Sequence, residues 1–275
     1  MQTTKIQDFT MGDKKAIWVP KLNEAAVLIT GGTSGVGFET ARQFAAVGVT
    51  RIGLIGRNKE RGQNAKEKIG QEFPHIKVSF ISANANDANE AKKAVEQATS
   101  ELGSVDILIN STVGSAGPQL FHDIPREELA DILTQQALGP IVMSHAVMPG
   151  MRERNGGVIL NIASDAGKVA TPGESVIGAA MASIIMFSRG LAIEAKRTGI
   201  RVNALTPSLI EGTMTYDRIR NDPFSWRIFE RAASMAHLGV VQPEDLASMI
   251  VFLASPQGAK ITGQAISVNG GISAA

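Results

Sequence analysis

Cysteine is absent from the 275 residues, and histidine is scarce, with four scattered copies at positions 75, 122, 145 and 237. Without thiols there is no disulfide staple, no thiolate nucleophile and no cysteine-ligated zinc. With no His-x-x-x-His pair, a metal has almost no ligands to use. An excess of charge of either sign is also lacking: 27 Lys+Arg stand against 26 Asp+Glu, a formal net charge of +1. No long-range field gathers phosphate backbones or anionic lipid, so neither nucleic acid nor a membrane is an expected partner. Apolar runs stop well short of the roughly 18 residues that span a bilayer; the richest, Ile177 to Phe187, ends at Ser188 and Arg189. Residues 1–20 carry Lys5, Asp8, Asp13, Lys14 and Lys15 without an apolar stretch, unlike a secretory signal. The expectation is a cytoplasmic protein with a short N-terminal arm over residues 1–21.

What is present is a globular composition, 44% apolar with 28 glycines against 11 prolines. From about residue 25, short β-branched runs alternate with helical patterns, the signature of βαβ units that build a parallel sheet. The runs predict strands near 26–30, 51–56, 77–83, 107–110, 158–163, 200–205 and 265–268. Helical patterns fall at 38–47, 59–71, 87–102, 127–154, 175–197 and 243–253. The fold class expected is α/β, a doubly wound, Rossmann-type parallel sheet of seven strands in one domain over 22–275, with helices on both faces. The stretch 208–238 lacks a strand pattern, holds the chain's single tyrosine, Tyr216, and reads as an irregular or helical lid.

The first strand runs straight into Gly31-Gly32-Thr33-Ser34-Gly35-Val36-Gly37, which opens a helix. A glycine turn in that context lets backbone approach a pyrophosphate, and the helix N-terminus offers free N–H groups and a positive dipole end. A dinucleotide cofactor follows. The second strand ends at Gly56, where a carboxylate would be needed to accept from a ribose 2′-hydroxyl, and Arg57 comes next, able to fork onto a 2′-phosphate. NADP(H) is therefore expected over NAD(H).

These motifs resemble the short-chain dehydrogenase/reductase family over about residues 22–272: Thr30-Gly31-x-x-x-Gly35-x-Gly37, Asp106 to Asn110, Gly157 to Ser164, Gly199 to Asn203, Ile261 to Gln264 and Val268 to Gly271. The resemblance implies a cofactor held by Gly31, Thr33, Ser34, Gly35, Val36, Gly37, Arg57, Asn58, Asn84, Ala85, Asn110, Pro207 and Ile210, and no metal. It implies a homodimer or homotetramer through the helices 127–154 and 175–197. It also implies a catalytic Ser, with Tyr and Lys on one helical face, the ammonium lowering the phenol's pKa.

Here the pattern departs from the family. Ser164 occupies the serine position, but the tyrosine and lysine positions hold Ile177 and Met181, and the supporting asparagine is Gln136. Tyr216 in the lid is one substitute proton source; Asp165, Lys168 and Glu174, after the fifth strand, are the other ionisable groups expected near the mouth. Ile177, Met181, Val113, Leu209 and Met214 suggest an apolar pocket. The leading expectation is an NADP(H)-dependent ketoreductase or dehydrogenase of a small or cyclic apolar carbonyl or alcohol, with a rebuilt active site. The alternatives are a non-redox isomerase, cyclase or lyase on the same scaffold, and a catalytically silent subunit.

Overall fold

The computed structural model describes residues 16–275; residues 1–15 of the expected arm lie outside them. Residues next to that boundary run against the foot of the domain, where Trp18 N–H donates to the Asn155 carbonyl at 3.0 Å and the Asn155 amide donates to the Ala16 carbonyl at 2.9 Å.

Seven strands, β1 (Ala26–Thr30), β2 (Arg51–Gly56), β3 (Lys77–Ser82), β4 (Ile107–Asn110), β5 (Gly157–Ile162), β6 (Ile200–Thr206) and β7 (Ala265–Ser267), form one sheet. Its order is β3-β2-β1-β4-β5-β6-β7, with every pair parallel. The helices are α1 (Gly35–Ala46), α2 (Lys59–Glu72), α3 (Ala88–Leu102), α4 (Leu129–Arg154), α5 (Ser175–Ala195), α6 (Met214–Asn221), α7 (Pro223–Met235) and α8 (Pro243–Ala254). The Rossmann-type doubly wound architecture expected from the sequence is the one observed.

The pleat explains why the strands are apolar throughout. Along β1, Val27 and Ile29 enter one core layer with Phe44, Leu54, Ile69 and Leu246, while Ala26 and Leu28 enter the other with Val95, Leu108, Met143 and Ile159. A sheet covered on both faces needs hydrocarbon at both parities. Helix starts are set by side chains that accept orphan N–H groups: Asn58 for α2, Asp87 for α3, Thr213 for α6 and Asp222 for α7. The last two caps divide the lid into two consecutive helices. α1 begins at Gly35, three residues earlier than its apolar pattern suggested, because the glycine loop passes directly into its first turn.

The segment Ser175–Thr198, α5 with its last turn, is long and apolar enough by composition to cross a membrane. It is packed here against α4 and β6, with Ala180, Ile184, Ala192 and Ala195 buried. Between β1 and β4 the strand order reverses, and the crevice at the carboxyl ends of these strands is where this architecture leaves room for a ligand.

Candidate active site

That crevice opens into a cleft of about 1340 Å³. Ligand pockets for one drug-sized molecule run to roughly 1,000 Å³, so a second ligand fits beside the first.

At one end lies the glycine loop. A Cβ on Gly31 would stand 2.3 Å from the Ser111 carbonyl oxygen, and one on Gly37 would stand 2.4 Å from the Gly31 carbonyl oxygen. Both positions are closed to any side chain by backbone, so loop, β4 end and helix meet at the closest approach. Gly31, Thr33, Ser34, Gly35 and Val36 line the cleft. Ser34, at the cap of α1, makes no side-chain capping bond, and the first turn holds no acidic residue. The leading N–H groups of α1 are thus left to an outside acceptor, which is what a pyrophosphate supplies. Gly37 does not itself line the cleft; it seats the helix against the loop.

At the end of β2, a Cβ on Gly56 would meet the Thr33 methyl at 2.9 Å, so a side chain there requires Thr33 to shift. Arg57 and Arg61 both line the cleft, and Arg61 also reaches the Met214 sulfur at 3.3 Å. The sequence reading overlooked Arg61, although it lies one helical turn after Arg57. Asn58 turns its oxygen back to Arg61 N–H at 2.8 Å as the α2 cap and is not a lining residue. Asn84 and Ala85 do line it, and the Asn84 oxygen accepts from Asn86 N–H at 3.2 Å, leaving the amide nitrogen for a ligand.

The far end is built on β4, β5 and α5. Asn110, 1% exposed, lies beneath the wall rather than on it. Its amide donates to the Asn161 oxygen at 2.8 Å, and the Asn161 amide donates to the Ser188 hydroxyl at 2.8 Å. Cross-strand register places these asparagines side by side and sends them into the interior. Gln136, from α4, accepts from Gly114 N–H at 3.1 Å and shapes the loop after β4. Ser164 lines the cleft, and its oxygen accepts from Ala166 N–H at 3.2 Å, which leaves its hydrogen to donate. Ile177 and Met181 line the same wall, as do Pro207, Ile210 and, from the lid, Tyr216. Tyr216 sets its ring edge-on to Trp226, centroids 6.3 Å apart.

Of the three ionisable groups expected at the mouth, two are committed elsewhere. Asp165 is 5% exposed and accepts from the Asn269 amide at 2.8 Å and from the Ser273 hydroxyl. The Lys168 ammonium donates to the Ser267 hydroxyl at 2.7 Å and to the carbonyls of Ala265 and Ala275. Burial lowers the Lys168 pKa, and Asp165 opposes that shift. Together they fasten the C-terminal segment, whose Ile272 and Ser273 line the cleft, a contribution no sequence signal announced. Glu174 remains. It lines the cleft, and burial pushes its carboxyl up to about 7, opposed only by a hydrogen bond with Thr171.

Residues 31–273 match the family model described as enoyl-(acyl carrier protein) reductase. The chain is similar to the 3-oxoacyl-(acyl-carrier-protein) reductase FabG of Chlamydia muridarum, 32% identical over 91% of this chain and 98% of that protein. It is also similar to the granaticin polyketide synthase putative ketoacyl reductase 1 of Streptomyces violaceoruber, 32% identical over 89% of this chain and 92% of that one. Among solved structures, the 3-ketoacyl-(acyl-carrier-protein) reductase of Brucella melitensis complexed with NADH superposes with a TM-score of 0.80 at 29% identity, covering 92% of this chain and 100% of that one.

Proposed function

The chain belongs to the short-chain dehydrogenase/reductase family, and on that premise we propose that it is an NADP(H)-dependent oxidoreductase that interconverts a small or cyclic apolar ketone and its alcohol at a rebuilt active site. The observation that carries this reading is one continuous cleft running from the glycine cradle and Arg57, past Ser164, to the apolar wall of Ile177 and Met181. The relatives' names, ketoreductases of acyl carriers, support carbonyl reduction, and the Brucella relative's NADH supports a nicotinamide in the cleft.

Bound there, the nicotinamide supplies or accepts the hydride. The free N–H groups of α1 hold the pyrophosphate, Arg57 the 2′-phosphate, and the Asn84 amide nitrogen an acceptor on the base. Pro207 and Ile210 border the nicotinamide. The Ser164 hydroxyl donates to the substrate oxygen and orients it. Tyr216 closes over the substrate from the lid, with Val113, Leu209 and Met214 adding apolar surface.

Oligomerisation belongs to the same reading. α4 exposes Leu133 and His145, and α5 exposes Met186 and Ile193; burial of these faces in a homodimer or homotetramer accounts for apolar side chains otherwise left in water. Light scattering that returns a monomer overturns that part.

The deciding experiment follows reduced-nicotinamide absorbance with a panel of cyclic and aliphatic ketones and a 3-oxoacyl thioester, with NADPH and NADH compared. Consumption of NADPH with formation of alcohol is expected. A second reading, non-redox chemistry or a silent subunit, is favoured by the apolar side chains of Ile177 and Met181 on the cleft wall. Conversion of a substrate without cofactor consumption would establish the former, and binding of nucleotide without any conversion the latter.

A further inference from the structure

Ketone reduction needs a proton as well as a hydride. The cleft wall holds few side chains that can give one up near neutral pH. The hydroxyls of Ser164 and Thr171 are too weakly acidic, Tyr216 packs edge-on to Trp226 in the lid, and Asp165 is fastened to the C-terminal segment. Asp222 is turned back to cap α7, accepting from Ser225 N–H at 2.8 Å. Glu174 is held differently. It stands immediately before α5, one turn ahead of Ile177 on the wall, and its carbonyl accepts the N–H of Gly178, so its backbone is tied into the helix. The preceding residue is gripped from two sides: the Gly173 carbonyl accepts Gln119 N–H at 2.8 Å, and the Phe224 ring of α7 lies 3.0 Å from where a Gly173 Cβ would be.

We propose that Glu174 is the general acid of this site, giving its carboxyl proton to the substrate oxygen as hydride reaches the carbonyl carbon. The inference rests on the NADP(H)-dependent reading above. In the step, a C–H bond forms at the carbonyl carbon and the C=O π pair moves to oxygen. That oxygen takes the Glu174 proton as the carboxyl O–H breaks. NADPH leaves as NADP⁺, the ketone as alcohol, and the Glu174 carboxylate regains its proton from water. In the reverse direction the carboxylate is the base.

Burial raises the pKa of the carboxyl to about 7, so it titrates near neutrality. The charged groups that line the cleft from neighbouring elements are Asp165 from the segment before α5, Asp123 from the loop after β4, and Arg218, Asp222, Arg227 and Arg231 from the lid. Arg218 is directed to the Ser115 carbonyl at 2.7 Å. None of them governs Glu174: burial is the dominant cause of its shift to about 7 and Thr171 the sole opposing one. An acid poised near the working pH is the most effective proton donor.

The test uses the full-length protein, NADPH and the ketone of the panel that is reduced fastest. Glu174→Gln is expected to lower kcat about 10²- to 10⁴-fold and to remove the fall in reduction rate above pH about 7, with the Kd for NADPH unchanged. Thr171→Val, which removes the hydrogen bond opposing burial, is expected to move that limb to higher pH. In cofactor-free protein carrying ¹³C in its glutamate carboxyls, one resonance titrating near 7 is expected in the wild type and absent from Glu174→Gln. A Gln variant that binds NADPH and keeps the wild-type rate and pH profile overturns the proposal and leaves the proposed function standing, as does the absence of that resonance. A wild-type protein that binds no NADPH, or reduces nothing, removes both.

Discussion

Arg57→Ala separates recognition of the 2′-phosphate from recognition of the rest of the nucleotide. Gly56 offers no carboxylate at the end of β2, and a Cβ there would stand 2.9 Å from the Thr33 methyl, which would have to shift. On the proposed NADP(H) reading, selectivity in this corner falls to the two guanidinium groups that line the cleft, Arg57 and Arg61. Hydrogen bonds to a charged partner contribute about 1.5–3 kcal/mol. Arg57 is exposed, so solvent screening holds its share to the lower part of that range. About 1.5–2 kcal/mol corresponds to roughly 10- to 30-fold in affinity, at 1.4 kcal/mol per tenfold. Fluorescence titration of the variant is therefore expected to show the Kd for NADPH raised about 10- to 30-fold, with NADH shifted by less than about twofold, the scale of an uninvolved surface change. The difference shrinks as salt is raised. Arg57→Ala with Arg61→Ala goes further in the same direction. If the single variant weakens NADPH and NADH equally, or neither, Arg57 does not read the phosphate.

Gly37→Ala gives the complementary result: its Cβ would stand 2.4 Å from the Gly31 carbonyl oxygen, so the loop is pushed from the helix and titration shows NADPH and NADH weakened together. Glu174→Gln changes how stability depends on pH. The folded carboxyl holds its proton up to about 7 against an ordinary value of 4.5, so its contribution is fully present below 4.5 and lost as pH rises through 7. Urea denaturation is expected to show the wild type losing up to about 3 kcal/mol relative to the variant across that window. Asp165→Ala removes the acceptor for the Asn269 amide and the Ser273 hydroxyl; a loss of about 2–4 kcal/mol in the same assay is expected, with faster proteolysis of residues 268–275.

Much of the fold was legible because its rules are local. Strands covered on both faces are short apolar runs with no alternation, and the runs in β1, β2 and β4 coincide with the observed strands to the residue. The glycine loop was legible for the same reason: strand, turn and helix follow one another in the chain. The lid was not resolved into α6 and α7, because eight residues of α6 carry too little periodicity; only the capping residues Thr213 and Asp222 mark the division. What escaped was decided by distant partners. Asp165 reads as a mouth carboxylate until Asn269 is brought to it from 104 residues away, and Lys168 until Ser267 arrives from 99 residues away. The burial of Asn110 depends on the register between β4 and β5, which places Asn161 opposite it. Ser164, Ile177 and Met181 all line the cleft, Ser164 after the end of β5 and the other two from α5.

The apolar side chains of Ile177 and Met181 and the protonated state of Glu174 depend on one another. An ammonium at contact distance lowers a carboxylate's pKa by about 1–3 units, and a Glu174 so paired would be ionised at neutral pH and useless as an acid. Hydrocarbon at both positions supplies no such charge, and burial dominates the shift. The buried chain Asn110–Asn161–Ser188 lies behind the wall, bonded at 2.8 Å at each link and independent of which side chains face the cleft. A polar floor satisfied within itself allows the wall above to exchange a phenol and ammonium pair for hydrocarbon without leaving a donor or acceptor stranded. On the proposal for Glu174, the proton donor changes from a phenol beside a cation to a carboxyl set in hydrocarbon.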